Sequence, residues 1–292
     1  MTESKINMMQ DKMRSYSSVF STTSFLRLLR YNDYSFIDSK IERFDSLKVG
    51  RSIETYYDYI RYIYNELRKH YRNEYMYKNT FINELLIAAY GVKDTIAINE
   101  FRVGNSIADV VLFNGTSKAF EIKTELDSDK RLNGQMADYT KLFKECYIVT
   151  HEALVEKYLK EDESFGIIEL KEYPRSLKMR TIRSAKENKT IDPEAIIRSI
   201  RSHEYKSIVE KYYGELPNVN SYEMFNSCRS LIMEIPNDKL NMLFIEQLKS
   251  RKSNTNILSN FYREIRQLGL AMNINAETYQ QLFLKLNKPI QI

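Results

Sequence analysis

Residues 107–124 read IADVVLFNGTSKAFEIKT, and this stretch decides the fold of the chain. Ile107–Phe113 is a β-branched and aromatic run, Asn114-Gly115 is a strong hairpin signal, and Lys118–Thr124 predicts the returning strand. Because side chains alternate along a strand, Glu121 and Lys123 share one face, while the apolar residues beside them share the other face and are expected to be core. A carboxylate and an amine on such a strand are costly unless a charged species, such as a metal ion or phosphate, uses them.

The hairpin also predicts a geometry for a second acid, Asp109, which lies twelve residues before Glu121. Directly opposed residues of an antiparallel pair share a face of the sheet. A two-residue Asn114-Gly115 turn would set Asp109 opposite Phe120, whereas a three-residue loop, Asn114–Thr116, sets it opposite Glu121. We predict the three-residue loop, or a one-residue bulge that restores the parity, in spite of the Asn-Gly signal.

Length and composition limit the class of protein. With 292 residues and 43% hydrophobic content, the chain can form one large or two modest domains with a real core. It contains no apolar run near the ~18 residues of a membrane helix, and Met1–Gln10 lacks the features of a signal peptide. We therefore expect a cytoplasmic protein without a membrane partner. Cys146 and Cys228 are expected to be reduced and buried, and they indicate neither a zinc site nor a disulfide.

The elements around the hairpin predict an α/β fold, in which helices flank a mixed sheet. The predicted elements are a helix over 80–90 that starts at Asn79 or Thr80, a strand over 95–101, the hairpin, a helix over about 130–144, a strand over 146–150, a helix over 152–160 and a strand over 165–170. Glu84 is the single charged residue of the helix predicted over 80–90, so it lies either on a solvent-exposed face of that helix or at a ligand site. Gln135 and Tyr139 are four residues apart and share a helix face.

Composition divides the chain into three regions. All five prolines follow Tyr173, so we expect a helical N-terminal region over 1–78, the α/β core over 79–173 and a helical C-terminal region over 174–292. Eight tyrosines lie within 51–78, where they pack against the core or stack on bases between arginines. A basic run over 175–189 is either a solvated surface or a nucleic-acid contact through Arg175, Lys178, Arg180 and Arg183.

Together these residues resemble the PD-(D/E)XK nuclease superfamily, which has the restriction-endonuclease-like fold. The residues that carry the resemblance are Glu84, Asp109, Glu121, Lys123, Gln135 and Tyr139. The Gln-x-x-x-Tyr pair resembles the RecB-type branch, and the stretch EIKTELDSDKRLNGQMADYTKLF is similar to a little-characterised bacterial set of such proteins. The resemblance covers about 80–150, and Ala108 stands where the superfamily name has proline.

The resemblance implies a nuclease that uses Mg²⁺ or Mn²⁺, acts on nucleic acid, with DNA expected, and leaves 5′ phosphates, in phage defence or a mobile element. It implies metal ligation by Asp109, Glu121 and the Ile122 carbonyl, with Glu84 helping directly or through water. Lys123 would orient the nucleophile or steady the charge of the phosphate, and Gln135 and Tyr139 would position water or nucleic acid.

Two other classes of function stay open from the sequence. One is a catalytically inactive module that binds nucleic acid on the same fold. The other is a regulatory protein whose helical regions bind a protein partner or a second copy of the chain. If Lys123 acts only on the transition state, Lys123→Ala is expected to abolish cleavage and to leave the thermal midpoint near that of the wild type.

Overall fold

A computed structural model of the chain describes residues 3–291, with side chains from residue 7 onward. It is a mixed α/β structure with a six-stranded mixed sheet flanked by helices. The chain forms two compact units: unit 1 comprises Met1–Val92, Glu172–Met179 and Asn254–Ile292, and unit 2 comprises Lys93–Lys171 and Arg180–Ser253. These units differ from the three consecutive regions expected, because helices from both ends of the chain belong to unit 1. No described helix has both the length and the apolar character needed to cross a membrane.

The sheet has its strands in chain order: β1 Ile96–Val103, β2 Ser106–Phe113, β3 Ser117–Lys123, β4 Glu145–His151, β5 Gly166–Tyr173 and β6 Ser176–Arg183. Strands β1, β2 and β3 pair antiparallel, whereas β3, β4 and β5 pair parallel. The predicted strands up to β5 are confirmed within a few residues. The expectation that the chain is helical after 174 is wrong for β6, where Lys178 and Arg180 alternate with Leu177 and Met179. Such charges are ordinary on a strand at the edge of a sheet.

The β2–β3 connection is the predicted three-residue loop. Phe113 pairs with Ser117, and the ladder continues to Val110 opposite Phe120. The Asn114 N–H donates to the Thr116 carbonyl at 3.2 Å, and Gly115 between them has a φ of 98°, which glycine adopts without strain. One further step along the same register sets Asp109 opposite Glu121, as the parity argument requires.

The helices, in chain order, are α1 Glu3–Ser17, α2 Thr22–Tyr31, α3 Ser35–Lys40, α4 Tyr56–His70, α5 Glu74–Phe81, α6 Leu132–Tyr139, α7 Val155–Tyr158, α8 Pro193–Ser199, α9 Ser202–Tyr213, α10 Met224–Glu234, α11 Asn237–Lys249, α12 Arg266–Ala271 and α13 Ala276–Leu286. Helices α6 and α7 are shorter at both ends than the sequence predicts, and a 3₁₀ turn precedes each of them. In unit 1, several of the crowded tyrosines are buried, Tyr59 and Tyr77 completely, which supports their packing role.

The helix predicted over 80–90 begins earlier than expected. Asn73 is the N-cap of α5 and accepts from the Met76 N–H at 3.2 Å. The helix then continues with π-helical bonding over Ile82–Tyr90 and ends, as predicted, at Gly91. Asn79 or Thr80 was expected to cap the helix, but both lie inside it, and the Asn79 amide is buried and donates to the Tyr64 hydroxyl at 3.0 Å. A long-range partner therefore uses the side chain that resembled a local cap.

Both faces of β3 are buried, so the sheet is covered on the Glu121 face as well as on the Phe120 face. On the Glu121 face, the ring of Phe113 contacts the rings of Phe101, Phe143 and Phe244 at centroid distances of 6.3, 6.1 and 5.7 Å. This aromatic cluster anchors the end of β2 from which the three-residue loop departs.

We predict that Phe113→Ala lowers the free energy of unfolding by about 3–5 kcal/mol, because it removes a fully buried ring and leaves a cavity. Ile107→Ala is the matched control on the same strand, since Ile107 is 44% exposed, and should cost less than about 1 kcal/mol. Urea unfolding of both variants measures the difference. Equal losses would show that the aromatic cluster does not hold β2.

Candidate active site

The sheet and α6 bring five of the predicted site residues together in unit 2. Tyr139 donates from its hydroxyl to Glu121 Oε2 at 2.7 Å. Lys123 Nζ donates to the other oxygen of the same carboxylate, Oε1, at 2.9 Å and to Gln135 Oε1 at 3.0 Å. The face shared by Gln135 and Tyr139 therefore lies against the face shared by Glu121 and Lys123, as the two periodicities predict.

Asp109 joins this cluster through the backbone of β3. Its Oδ2 accepts from the Ile122 N–H at 2.8 Å, so the carboxylate is fixed beside the segment that carries Glu121 and Lys123. The β1–β2 ladder omits the step between Glu100 and Asp109, although it pairs the residues on either side. Glu100 has a φ of 56°, a strained value for a residue with a side chain.

Sequence reasoning missed this strain, and also the Ile107 carbonyl, which lies 2.8 Å from the Tyr139 hydroxyl and shares its single proton with Glu121 as a second acceptor. The available signal for Glu100 was an acid near the end of the strand predicted over 95–101. No sequence signal marks a backbone carbonyl as a hydrogen-bond acceptor.

The two acids raise the electrostatic cost of the cluster. Burial raises the pKa of the Glu121 carboxyl, and the negative charge of Asp109 raises it further, against the opposing effect of Lys123 and Tyr139. Burial, and then the charge of Glu121, also raise the pKa of Tyr139. The Tyr139 hydroxyl therefore stays protonated and serves as a donor at neutral pH. A cation between the two carboxylates would relieve their repulsion.

The donor set fits Mg²⁺ or Mn²⁺. Hard carboxylate oxygens suit these ions, and Mg²⁺ typically takes one or two carboxylates together with water and phosphate oxygens. Within residues 3–291, no group of three or more His, Cys, Asp or Glu side chains converges as metal ligands. The candidate site thus offers two carboxylates, Asp109 and Glu121, with the Ile122 carbonyl as the further ligand that the sequence predicts.

The remaining predicted ligand, Glu84, lies in unit 1. Its carboxylate is held there by Lys178 at 2.8 Å and by Arg263 at 3.1 Å. Two cations therefore satisfy the charge that suggested a ligand role, and ligation by Glu84 stays a prediction.

The four predicted nucleic-acid contacts have different surroundings. Arg183 donates to the carbonyls of Leu159, Asp162 and Phe165 at 2.9–3.1 Å, and so holds the loop before β5. Arg180 bonds Glu169 at 3.1 Å, and Lys178 bonds Glu84. Arg175 is exposed. Three of the four cations thus have intramolecular partners, and their contact with phosphate stays a prediction.

Comparison with known proteins gives a family, one similar protein and one solved structure. The family model described as bacteriophage P4 protein cII matches residues 67–273. Protein cII of Enterobacteria phage P4 is 25% identical over 164 residues, an alignment that covers 55% of this chain and 61% of that protein. A solved structure of a protein of unknown function from Silicibacter pomeroyi aligns at 14% identity with a TM-score of 0.32, covering 50% of this chain and 94% of that one. The chain thus spans less than two thirds of the phage protein.

We predict that Asp109→Asn lowers the pKa of Glu121, because the variant removes a negative charge that raises it. A folded-state pKa above the unfolded value gives stability that is present below the unfolded pKa and is lost as the pH rises through the folded pKa. Asp109→Asn should therefore lose less stability than the wild type as the pH rises from the unfolded-state pKa of Glu121 to its folded-state pKa. Carbon-detected NMR titration of the carboxyls measures the shift, with Glu204, which pairs with Arg251 elsewhere in unit 2, as the unchanged control. An unchanged Glu121 pKa would mean that the two acids are not electrostatic neighbours.

Proposed function

We propose that this chain, which belongs to the bacteriophage P4 protein cII family, is a metal-dependent nuclease that hydrolyses phosphodiester bonds, with DNA as its expected substrate. One observation carries the proposal: an amine, an amide and a phenol form one hydrogen-bonded cluster with the Glu121 carboxylate, and the Asp109 carboxylate is bonded to the backbone of the same strand, close enough to raise the pKa of Glu121. The proposal includes a restriction-endonuclease-like core, which the mixed sheet and its flanking helices are compatible with.

Each residue of the cluster has a distinct role in the proposal. Asp109 and Glu121 would hold a Mg²⁺ or Mn²⁺ ion together with the Ile122 carbonyl. The ion would stabilise the charge that develops on the phosphate and lower the pKa of the attacking water. Lys123 is the residue we assign to the nucleophile or to a phosphate oxygen, since its amine is a fixed positive charge beside the Glu121 carboxylate.

Gln135 and Tyr139 are best assigned as positioning residues. Gln135 accepts from the Lys123 amine, so it limits where that charge can point. Tyr139 is fixed at the Ile107 carbonyl and donates to Glu121, so it orients the carboxylate. Removal of either group would leave the charged groups present but less well aligned, and alignment is a large part of catalysis in such sites.

A specific observation favours one alternative, a catalytically inactive module that binds nucleic acid. Both Glu121 oxygens already accept a hydrogen bond, one from Lys123 and one from Tyr139. A fully satisfied buried network of this kind also occurs as a purely structural feature. Cleavage by the purified protein distinguishes the two functions, because only the nuclease turns over.

We predict that Lys123→Met lowers metal-dependent cleavage of linear, circular or single-stranded DNA by at least about a hundredfold, because it removes the charge assigned to the transition state. The matched control is Lys118→Met on the same strand, since Lys118 also pairs with a glutamate, Glu145, but outside the cluster. This control should cleave like the wild type. A Lys123→Met variant with the full cleavage rate would contradict the assignment.

The structure changes what we expect for the stability of Lys123 variants. Lys123 and Glu121 are both buried and form an ion pair. Loss of the amine leaves a buried carboxylate without its cation, which destabilises a folded protein. The thermal midpoint of Lys123→Ala should therefore fall, in contrast to the expectation from the sequence, and cleavage must be measured well below that midpoint.

We also predict that Mn²⁺ or Mg²⁺ raises the thermal midpoint of the wild type by mass action and that Glu121→Gln loses this rise. The rise should fade as the pH falls through the raised pKa of Glu121, because protons then compete with the cation for the carboxylate. Glu145→Gln, which removes a carboxylate outside the cluster, should keep the rise. An unchanged metal effect in Glu121→Gln would exclude Glu121 as a ligand.

A further inference from the structure

Unit 1 contains a polar cavity that the proposed nuclease chemistry does not use. It has a volume of about 90 Å³, and its lining includes Arg68, Thr80, Arg175, Ser176, Arg263 and Glu264. A cavity of this kind needs at least about 10 Å³ to hold one water. The cavity therefore has room for a ligand with several oxygen atoms.

Arg68, near the end of α4, is the unusual residue of this lining. It is 8% exposed, and within the described residues its buried Nε and Nη1 atoms have no hydrogen-bond partner. Buried guanidinium groups are normally paired, because an unpaired buried charge strongly destabilises a folded protein. Among the described residues, Arg68 is thus a cation that lines a polar cavity with two guanidinium nitrogens left without a hydrogen-bond acceptor.

The other charged groups of the lining reinforce the positive potential. Three arginines face one glutamate, Glu264. The Glu264 carboxylate accepts from the Tyr57 hydroxyl at 2.9 Å, and Arg263 pairs with Glu84. Arg175 is exposed at the cavity. The cavity therefore keeps an excess of positive charge with Arg68 on its buried side.

The chemistry of these donors selects the ligand. Guanidinium groups present N–H donors in a fork that matches the oxygens of a phosphate, and hydroxyls such as those of Thr80 and Ser176 add single donors. Arginine is favoured over lysine wherever bidentate recognition of phosphate is needed. A tetrahedral dianion would satisfy Arg68 and balance the excess charge of the lining.

We propose that this cavity of unit 1 binds a phosphate group, either free phosphate or the phosphate of a phosphomonoester, through Arg68 with support from Arg175. The site is distinct from the Asp109 and Glu121 cluster of unit 2. Its test does not depend on cleavage, so it can fail or succeed independently of the proposed nuclease.

The test is a titration of the full chain with sodium phosphate at constant ionic strength, with the thermal midpoint and calorimetric heat as readouts. The wild type should show a saturable rise in midpoint, and Arg68→Met should weaken phosphate binding by on the order of tenfold or more, the loss expected for charge-assisted hydrogen bonds. Arg61→Met is the matched control, because Arg61 is an exposed arginine on the same helix that pairs with Asp58. This control should bind phosphate like the wild type.

Two further arms make the result decisive. Arg175→Met replaces an exposed side chain and should weaken binding even if Arg68→Met fails to fold.

Adenosine 5′-monophosphate should bind and adenosine should not. Tighter binding of the nucleotide than of inorganic phosphate would identify a phosphomonoester as the source of the phosphate. Equal binding of the two would identify free phosphate. The proposal is overturned if the wild type shows no saturable response to phosphate, or if Arg68→Met and Arg175→Met bind it as tightly as Arg61→Met.

Discussion

The pairing of Phe113 with Ser117 across the β2–β3 loop determines where the acidic side chains of the candidate site point. In a sheet, a slip of one residue moves every side chain to the other face. The paired residues end at Val110 and Phe120, and the same register, extended by one residue, sets Asp109 across from Glu121. The bond from the Ile122 N–H holds the Asp109 carboxylate against that strand. A one-residue slip of this register would cost free energy, because it would move the fully buried ring of Phe113 out of its aromatic cluster.

The buried charged groups that this register brings together are not expected to contribute much to the free energy of unfolding. Glu121 and Lys123 are both buried, and replacement of buried ion pairs by apolar side chains is often neutral or stabilising. The neighbouring charge of Asp109 adds repulsion, which contributes to the raised pKa of Glu121. Such a cluster is easiest to understand if a cation and a phosphate complete it, since both the repulsion and the desolvation of the carboxylates are then offset.

The sequence predicted the elements that depend on local periodicity and on parity. Strands β1 to β5, the odd loop and the shared face of Gln135 and Tyr139 follow from alternation and helical spacing, which are properties of neighbouring residues. Strand β6 was not predicted, because its basic residues were interpreted as part of a charged surface over 175–189 and not as the polar positions of a strand at the edge of the sheet.

Long-range contacts were the other limit of prediction. Glu84 was assigned to a metal because it is the single acid of an apolar helix, and this assignment stays a prediction. Its partners Lys178 and Arg263 lie 94 and 179 residues away, and no spacing rule connects them to it. The cap role expected for Asn79 failed for the same reason, and the unpaired guanidinium of Arg68 became apparent only from its surroundings in three dimensions.

The most direct test of the shared cation site is paramagnetic line broadening by Mn²⁺ in the NMR spectrum of the full chain. If Asp109 and Glu121 hold one ion, substoichiometric Mn²⁺ should first broaden the backbone amide signals of Asp109, Ile122 and Lys123, and excess Mg²⁺ should restore them. Signals near Lys118 and Glu145 should broaden less, because that pair lies outside the cluster. Broadening that begins elsewhere, or that Mg²⁺ does not reverse, would contradict a cation site between the two carboxylates.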